Sequence, residues 1–521
     1  MNAYDQSREA SSLLKCLPGE ILNQIISNLS NIDIKNLRQT CIYFKDITHL
    51  RINRLFLSTN LQDIQVFRAV ADHEIYRHEV TEIIYDDVRF YHTDDMESES
   101  DYDTADDDIC DITEIPVWFR NAYCQSRRHI ERYDSRHVGV KEASSKPLGP
   151  VESFKAFHIL SQQQQTTIAT DRDVDALKYG LSRFTNLRRV TITPAAHGVP
   201  GRSLYYTPAI RSLPPGTLYP IERGWPVTES LGDDELEEVA WDEEEKAQWR
   251  GYFLVSRTLA QHLRDNPRSK FAELVIDTNQ LRTGISSRML EKAESSEKTD
   301  LITILSHPGF THLDLSLFCG NRHKYNWCSF GSGRLRNLLA KATNIQHISL
   351  FTDMGLMSEG EVDEIYFPLR SMFPFSDWHQ LRHFGLSRFY IQKDDVIELL
   401  QSLTQTLMSV ELSFLFVFLD QGNYQTLLED VRDKLGWRER RKEDQPKIVV
   451  RIDVCWEPML GADLQDLSHE VDSFVYRDSE NPFKACEQLN WETNVAGGAG
   501  VVVDAFGPDY EGSISQGRVS D

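Results

Sequence analysis

Hydrophobic residues between positions 17 and 57 recur at the spacing of amphipathic helices. The first group predicts a helix whose apolar face is wider than a surface helix needs, and its members are Ile21, Leu22, Ile25, Ile26 and Leu29. Pro18 favours a helix start, because its missing N–H would be unpaired there anyway. Asp33 is suited to cap a second helix, whose apolar residues are Ile34, Leu37, Cys41 and Phe44. With a third apolar run at 47–57, the pattern predicts two or three short helices.

This helical segment is too short to be stable alone. About forty residues bury too little surface to offset the entropy lost on ordering them. The apolar faces therefore need a partner chain, the rest of this chain, or both.

A second pattern, φ-x-x-φ-x-φ with φ apolar, recurs along the rest of the chain. Its last two apolar positions alternate as in a short strand, and its copies are Val80/Ile83/Tyr85, Leu187/Val190/Ile192, Phe271/Leu274/Ile276, Phe310/Leu313/Leu315, Ile345/Ile348/Leu350, Leu381/Phe384/Leu386 and Leu407/Val410/Leu412. Most copies follow a helical pattern. Their spacing suits one helix and one strand each, the crossover that parallel strands require.

The repeated unit resembles an irregular leucine-rich repeat over roughly residues 170–455. Phe271-x-x-Leu274-x-Ile276-x-x-Asn279 matches that repeat through its asparagine, which the other units lack. The resemblance implies an α/β fold, a helix–strand solenoid with an extended concave face. The alternative is an ordinary parallel α/β sheet, which gives the same pattern of buried strands.

Three stretches interrupt or end this pattern. Residues 93–111 are strongly acidic and poor in apolar residues, so we expect a disordered insertion. Residues 194–245 combine many prolines with a second acidic run, and we expect inserted loops. We expect residues 481–521, with Gly-rich AGGAGVVV, to form a flexible or edge-pairing tail. The repeat-like region is then 61–480.

The N-terminal segment is similar to the F-box motif, which we assign to residues 12–60. The motif is carried by Leu17-Pro18-x-Glu20-Ile21, Ile25, Leu29, Asp33-Ile34-x-x-Leu37-Arg38, Cys41, Phe44 and Ile47. The resemblance implies docking onto the Skp-type adaptor of cullin-RING ubiquitin ligases, with interface positions Leu17, Pro18, Ile21, Ile25, Leu29, Ile34 and Leu37. The order of segments resembles fungal F-box proteins. The alternative is a helical cap packed wholly on the following domain.

Composition narrows the classes of partner. The chain has 521 residues, 40% of them hydrophobic, and a net charge of −24. That charge argues against a nucleic-acid binder and against an anionic membrane surface. The N-terminus does not resemble a secretory signal, and Leu412–Leu419, the sharpest apolar stretch, is too short to span a bilayer.

Motifs for catalysis or metal binding are missing from the sequence. The eight cysteines show no CxxC pair, and the histidines are scattered without metal-ligand spacing. No nucleophile elbow, phosphate loop or zinc-protease motif occurs. We therefore expect no catalytic, cofactor or metal residues. Candidate aromatic anchors for a partner, for which burial is the simpler role, are Trp225, Trp241, Trp249, Tyr325, Trp327 and Trp378.

These patterns predict a non-catalytic substrate receptor of an SCF-type ubiquitin ligase. It would bind the adaptor, and through it cullin, with the F-box, and an unknown protein substrate with the repeats. The expected location is the cytoplasm or nucleus, with no nucleic acid or membrane as partner. One alternative is an F-box scaffold that acts without ubiquitin transfer, and another is an enzyme carrying an N-terminal docking module.

Overall fold

The N-terminal segment folds into three short helices in a computed structural model. The structure describes residues 17–90, 114–136, 146–221, 224–227, 241–279, 281–291, 295–320, 328–355, 366–403, 406–418, 422–457, 461–484 and 500–504. The three helices are α1 Gly19–Ser27, α2 Asn31–Thr40 and α3 Ile42–Ile47. Ser30, not Asp33, is the N-cap of α2, and the two residues form a reciprocal capping box.

The third apolar run is not helical beyond Ile47, which corrects the sequence interpretation. Residues Arg54–Ser58 form strand β1, because Leu55 and Leu57 alternate with polar or less buried neighbours as a strand requires. The end of the predicted 12–60 segment therefore belongs to the main sheet.

The main body is built on one parallel sheet whose strands lie in chain order. The order is β1-β2-β3-β4-β6-β7-β8-β10-β12, with β5 paired beside β6. The further strands of this sheet are β2 Glu82–Asp86, β3 Arg189–Thr193, β4 Glu273–Ile276, β5 Ile285–Ser286, β6 His312–Phe318, β7 His347–Thr352, β8 His383–Ser387, β10 Ser409–Ser413 and β12 Lys447–Val449. A short parallel pair joins β9 Tyr390–Ile391 to β11 Phe416–Val417.

Every φ-x-x-φ-x-φ unit is a strand of this sheet, which confirms the predicted α/β class. The middle apolar residues of the units face one another directly, in the order Ile83, Val190, Leu274, Leu313, Ile348, Phe384 and Val410. A repeat array places its strands in the order in which they occur in the chain, whereas in a doubly wound sheet this spatial order reverses part-way across the sheet. Whether the units are leucine-rich repeats stays a prediction.

Helices connect the strands, and many of them pack in one hydrophobic cluster with one face of the sheet. They are α4 Leu61–Asp72, α5 Val117–Arg136, α6 Pro150–Ala169, α7 Arg172–Leu181, α8 Pro208–Ser212, α9 Glu243–Ala247, α10 Arg250–Asp265, α11 Ser296–Leu305, α12 Cys328–Gly331, α13 Arg334–Leu339, α14 Leu369–Met372, α15 Lys393–Ser402, α16 Tyr424–Lys434 and α17 Ser468–Arg477. Helical residues such as Leu259, Ile304 and Leu399 pack in the same cluster as the strand residues Leu274 and Leu313.

The segment 194–221 is packed structure rather than a set of loose loops. Leu218 and Tyr219 belong to a second hydrophobic cluster with Phe119 of α5 and Phe157 of α6. The segment has little regular secondary structure besides α8, and the apolar residues between its prolines fill this cluster. The expectation of inserted loops stays a prediction. Residues 228–240, and the acidic insertion at 93–111, lie outside the described residues.

The C-terminal part adds a small antiparallel sheet. Its strands are β13 Arg451–Glu457, β14 Gly461–Asp466 and β15 Val501–Asp504, and β14 lies in the middle. Phe483 is buried and stacks on Tyr424. These described parts of the 481–521 tail are therefore packed or edge-paired. Among the described residues, no helix has the length and apolar character needed to cross a membrane.

Asp63 joins the first strand–helix unit to α8. It is fully buried and accepts hydrogen bonds from the Ser58 hydroxyl at 2.6 Å and from the Ala209 N–H at 2.8 Å. Burial raises the pKa of Asp63 from 3.8 to about 6, although both hydrogen bonds lower it. The charged carboxylate is therefore a destabilising element at neutral pH.

We expect Asp63→Asn to flatten the pH dependence of stability. A raised pKa means that the folded state holds the proton more tightly, so wild-type stability falls as pH rises from about 4 through about 6. The unfolding free energy of the variant relative to wild type should rise by roughly 3 kcal/mol across that interval. Urea unfolding followed by tryptophan fluorescence at several pH values measures it, and parallel pH profiles would contradict the assignment.

Candidate functional site

The N-terminal helices expose a group of large hydrophobic side chains. Ile21 and Ile25 of α1 are 45% and 39% exposed. Helices α2 and α3 carry further exposed apolar side chains, namely Ile32, Ile42, Tyr43 and Ile47. Large apolar side chains gathered on one short segment mark an interaction surface more often than scattered ones do. We call the surface formed by Ile21 and Ile25 the α1 face.

Helices α1 to α3 bury few residues, and polar contacts help to hold them together. Asn31 and Arg51 exchange two hydrogen bonds of 2.9 Å, from the Asn31 amide to the Arg51 carbonyl and from the Arg51 N–H back to the Asn31 amide oxygen. The Arg51 guanidinium donates to the carbonyls of Ser27 and Leu29, which satisfies acceptors at the end of α1. Arg38 donates similarly to the Thr48 carbonyl. The chain leaving α3 is thus tied back to the ends of α1 and α2.

The seven predicted adaptor-binding residues divide into exposed and buried positions. Pro18, Ile21 and Ile25 are exposed, and Leu17, Leu29 and Leu37 are half-buried. Ile34 is different, since it is only 1% exposed and lies inside the helical segment. Its helical spacing matched that of a surface residue, but the turn from α1 into α2 directs it inward. Ile34 therefore supports the segment from within, and its contact with the adaptor stays a prediction.

The face of the main sheet that points away from the helices is polar. The first residues of its strands lie side by side in the order Arg54, Glu82, Arg189, Glu273, His312, His347, His383, Ser409 and Lys447. Arg54 pairs with Glu82 at 2.8 Å, and Arg189 pairs with Glu273. Opposite charges therefore compensate one another on the first four strands. We call this surface the polar face.

Three histidines continue the row on β6, β7 and β8. The rings of His312 and His347 are stacked with centroids 3.7 Å apart, and His347 and His383 follow at 3.9 Å. Asp314 lies beneath the first two, with its carboxylate oxygens 2.5 Å from Nε2 of His312 and 3.0 Å from Nε2 of His347. Ligand atoms of these three residues all lie within 4.8 Å of one another.

Burial controls the charge of this cluster. Burial opposes ionisation of Asp314, but the adjacent His312 and His347 outweigh it and hold the pKa of Asp314 well below its usual range. Burial lowers the pKa of His347, and burial together with His347 lowers the pKa of His383. The arrangement is a carboxylate that accepts N–H groups from neighbouring imidazoles, with His347 and His383 neutral at physiological pH.

The third histidine is held by serine side chains. The Ser349 hydroxyl lies 3.1 Å from Nε2 of His383, and the Ser409 hydroxyl lies 2.6 Å from Nδ1 of the same ring. Gly385 makes room for this contact, since a Cβ atom there would lie 2.3 Å from the Ser349 hydroxyl oxygen. The ring of His383 is thus fixed on both nitrogens.

Three of the histidines that are scattered in the sequence lie together in the folded chain. Parallel pairing brings together residues that are 35 and 36 positions apart, namely His312, His347 and His383. A sequence signal was present, because each histidine directly precedes the middle apolar residue of three consecutive repeat units. Of the aromatic anchor candidates, Trp225, Trp249 and Trp378 are buried and Trp241 is half-buried. Tyr325 and Trp327 lie outside the described residues.

Comparison with known protein families identifies the N-terminal segment. A family model described as F-box domain matches residues 14–55. The match covers α1 to α3 and ends where β1 begins. No curated protein matches the chain.

We expect the buried and exposed isoleucines of the helical segment to respond differently to truncation. Ile34→Ala leaves a cavity and should cost about 2 kcal/mol or more, which speeds amide hydrogen exchange in α1 to α3 by at least about 30-fold. Ile21→Ala removes an exposed side chain and should change exchange little. Hydrogen-exchange mass spectrometry of residues 19–47 measures both variants. Equal protection of the two would show that Ile34 is not an internal support.

Proposed function

We propose that this F-box domain-containing chain is the substrate-recognition subunit of an SCF-type E3 ubiquitin ligase. F-box domains bind Skp-type adaptors in such complexes. The α1 face would bind the adaptor, which would bring cullin, and the main body would hold a protein substrate. The chain would carry no catalytic residue of its own and would act in the cytoplasm or nucleus.

The exposure of the α1 face is the observation that carries this proposal. A helical cap would turn its apolar residues toward the main sheet, yet Ile21 and Ile25 remain exposed beside the packed domain. The segment does contact the main body, through Ile52, which packs against the main cluster, and through its N–H to the Glu79 carboxylate at 3.3 Å. The docking surface is therefore anchored to the domain while its apolar side chains stay accessible.

Charge is compatible with an adaptor surface that is neutral or acidic. Residues 17–57 hold five basic and three acidic residues, although the whole chain has a net charge of −24. A locally positive surface on an acidic protein favours an acidic partner and speeds encounter with it.

The part of the polar face on β6 to β10 is the surface we propose for the substrate. Over β1 to β4 the segment after β3 crosses this face, where Tyr205 donates to Asp277 at 2.9 Å and its ring lies 5.9 Å from Phe56. On the following strands His312, Ser349, Phe351 and Ser409 are half-buried. These groups offer hydrogen bonds and one aromatic ring without a strong net charge.

An F-box scaffold that works without ubiquitin transfer is the alternative function. It would use the same α1 face and the same adaptor. The two functions differ in whether cullin is part of the complex.

We expect a charge on the α1 face to abolish adaptor binding. Ile21→Asp/Ile25→Asp places two carboxylates in an apolar interface, and adaptor recovery with the tagged full chain should fall at least tenfold. Ile159→Asp is a matched control, because Ile159 is 57% exposed on α6, outside the helical segment. Equal circular dichroism of all three proteins establishes folding. Adaptor recovery that is unchanged in the double variant would refute the docking assignment.

We expect cullin to co-purify with the wild-type chain and adaptor, and to be lost with the same double variant. Quantitative mass spectrometry of the purified complexes measures the ratio of cullin to adaptor. Adaptor without cullin would favour the scaffold, and transfer of ubiquitin in a reconstituted complex would support the receptor.

A further inference from the structure

The histidine cluster on the polar face has a composition that its neighbours do not share. On the preceding strands, the same row is filled by arginine–glutamate pairs that neutralise each other. On β6 and β7 two imidazoles face a single carboxylate, that of Asp314. The row thus changes from ion pairs on β1 to β4 to imidazole nitrogens beside a carboxylate on β6 and β7.

The donor set is one that divalent transition metals prefer. Imidazole nitrogen and carboxylate oxygen are ordinary ligands of zinc, and two histidines with one carboxylate also form open sites for other first-row metals. Here Nε2 of His312, Nε2 of His347 and the Asp314 carboxylate converge within 4.8 Å. All three side chains come from adjacent strands of a regular sheet, so their backbone positions are fixed.

The distances are compatible with an ion after small side-chain movements. Zinc bonds of about 2.0–2.2 Å in tetrahedral geometry place ligand atoms roughly 3.3 Å apart. The nitrogen–oxygen distances of 2.5 and 3.0 Å must therefore open by less than about 1 Å. The two rings lie within 6° of parallel, so they must also tilt to direct both nitrogens at one ion.

Binding an ion requires a change of tautomer in the imidazoles. Each Nε2 that now donates a proton to Asp314 must present its lone pair, and in a neutral ring the proton moves to Nδ1 through solvent. No net proton is released by a neutral ring, and no redox step is involved. The carboxylate of Asp314 exchanges two N–H donors for one cation.

The surroundings admit and favour a cation. Asp314 and His347 are 2% and 8% exposed, whereas the side chain of His312 is 13% exposed and leads to solvent. Half-buried Asp277 and buried Glu411 interact electrostatically with Asp314, and Glu411 also faces Arg451. Arg189 also faces His347, but its guanidinium is paired with Glu273. A divalent ion would offset the buried negative charge.

His383 is a positioning residue in this arrangement. It stacks on His347 and is held by Ser349 and Ser409 on its two ring nitrogens. It therefore limits how the ring of His347 can turn. Such outer residues orient ligands and commonly affect metal affinity by 10–100-fold.

We propose that His312, Asp314 and His347 bind one divalent transition-metal ion, with zinc the best match to this donor set. Three protein ligands leave a fourth position on the ion for water or for a side chain of a bound protein. The site lies on the part of the polar face formed by β6 to β10. Its metal binding does not depend on the proposed ligase function.

The test measures metal binding by the full-length chain after treatment with a chelator and dialysis. Cobalt(II) is added and its visible absorption recorded, because four-coordinate cobalt absorbs far more strongly than the hydrated ion. Zinc is then titrated against a chromophoric chelator. We expect one ion per chain, a cobalt spectrum that zinc abolishes, and at least a 100-fold loss of affinity in His347→Ala and Asp314→Asn.

Two further variants separate ligands from bystanders. His383→Ala should weaken zinc binding by roughly 10–100-fold without changing stoichiometry. His379→Ala is the matched control, because His379 is exposed and lies outside the cluster, and it should bind as wild type does. Circular dichroism checks folding in every case.

Several results would overturn the proposal. If folded wild-type chain gives no four-coordinate cobalt spectrum, the proposal is refuted, even if none of the variants folds. Equal zinc affinity in wild type, His347→Ala and Asp314→Asn would place any bound metal elsewhere.

Discussion

Strict parallel pairing of the strands in chain order is the constraint on which the rest of the structure depends. Each strand must return in the same direction, so each connection crosses back over the sheet. One face thereby becomes a continuous apolar layer packed with helices, and the other is left to polar residues. Because the register is constant, residues at the same position of successive repeat units become neighbours. The chemical character of each face is therefore set by rows of residues that occupy the same position in successive units.

The two candidate surfaces are products of different physics. The α1 face exists because three short helices bury little. Leu22, Ile34 and Phe44 lie inside, Leu29 and Leu37 are half-buried, and Ile21 and Ile25 are exposed. On the polar face, buried polar side chains need partners. Opposite charges supply them on β1 to β4, and imidazole and carboxylate groups supply them on β6 and β7. One surface is suited to an apolar partner, and the other offers directed polar groups.

The segment after β3 changes what the main body exposes. It fills a second hydrophobic cluster and passes over the first strands of the polar face, where Tyr205 reaches Asp277. Half-buried side chains lie on both parts of that face, such as Phe56 on β1 and Ser349 and Phe351 on β7. This segment therefore covers part of the polar face over the first strands.

The sequence alone determined the helical N-terminal segment, the F-box domain and the strands of the sheet, because these depend on the local spacing of apolar residues. Helical spacing identified Ile21 and Ile25, and alternation identified residues such as Ile348 and Phe384. Local spacing could not decide that Ile34 turns inward, since that depends on the angle between α1 and α2. It also could not bring His312, Asp314 and His347 together, because residues on separate strands meet only through the register of the folded sheet. Tertiary structure decided those two points because both depend on distances between segments that the chain itself keeps apart.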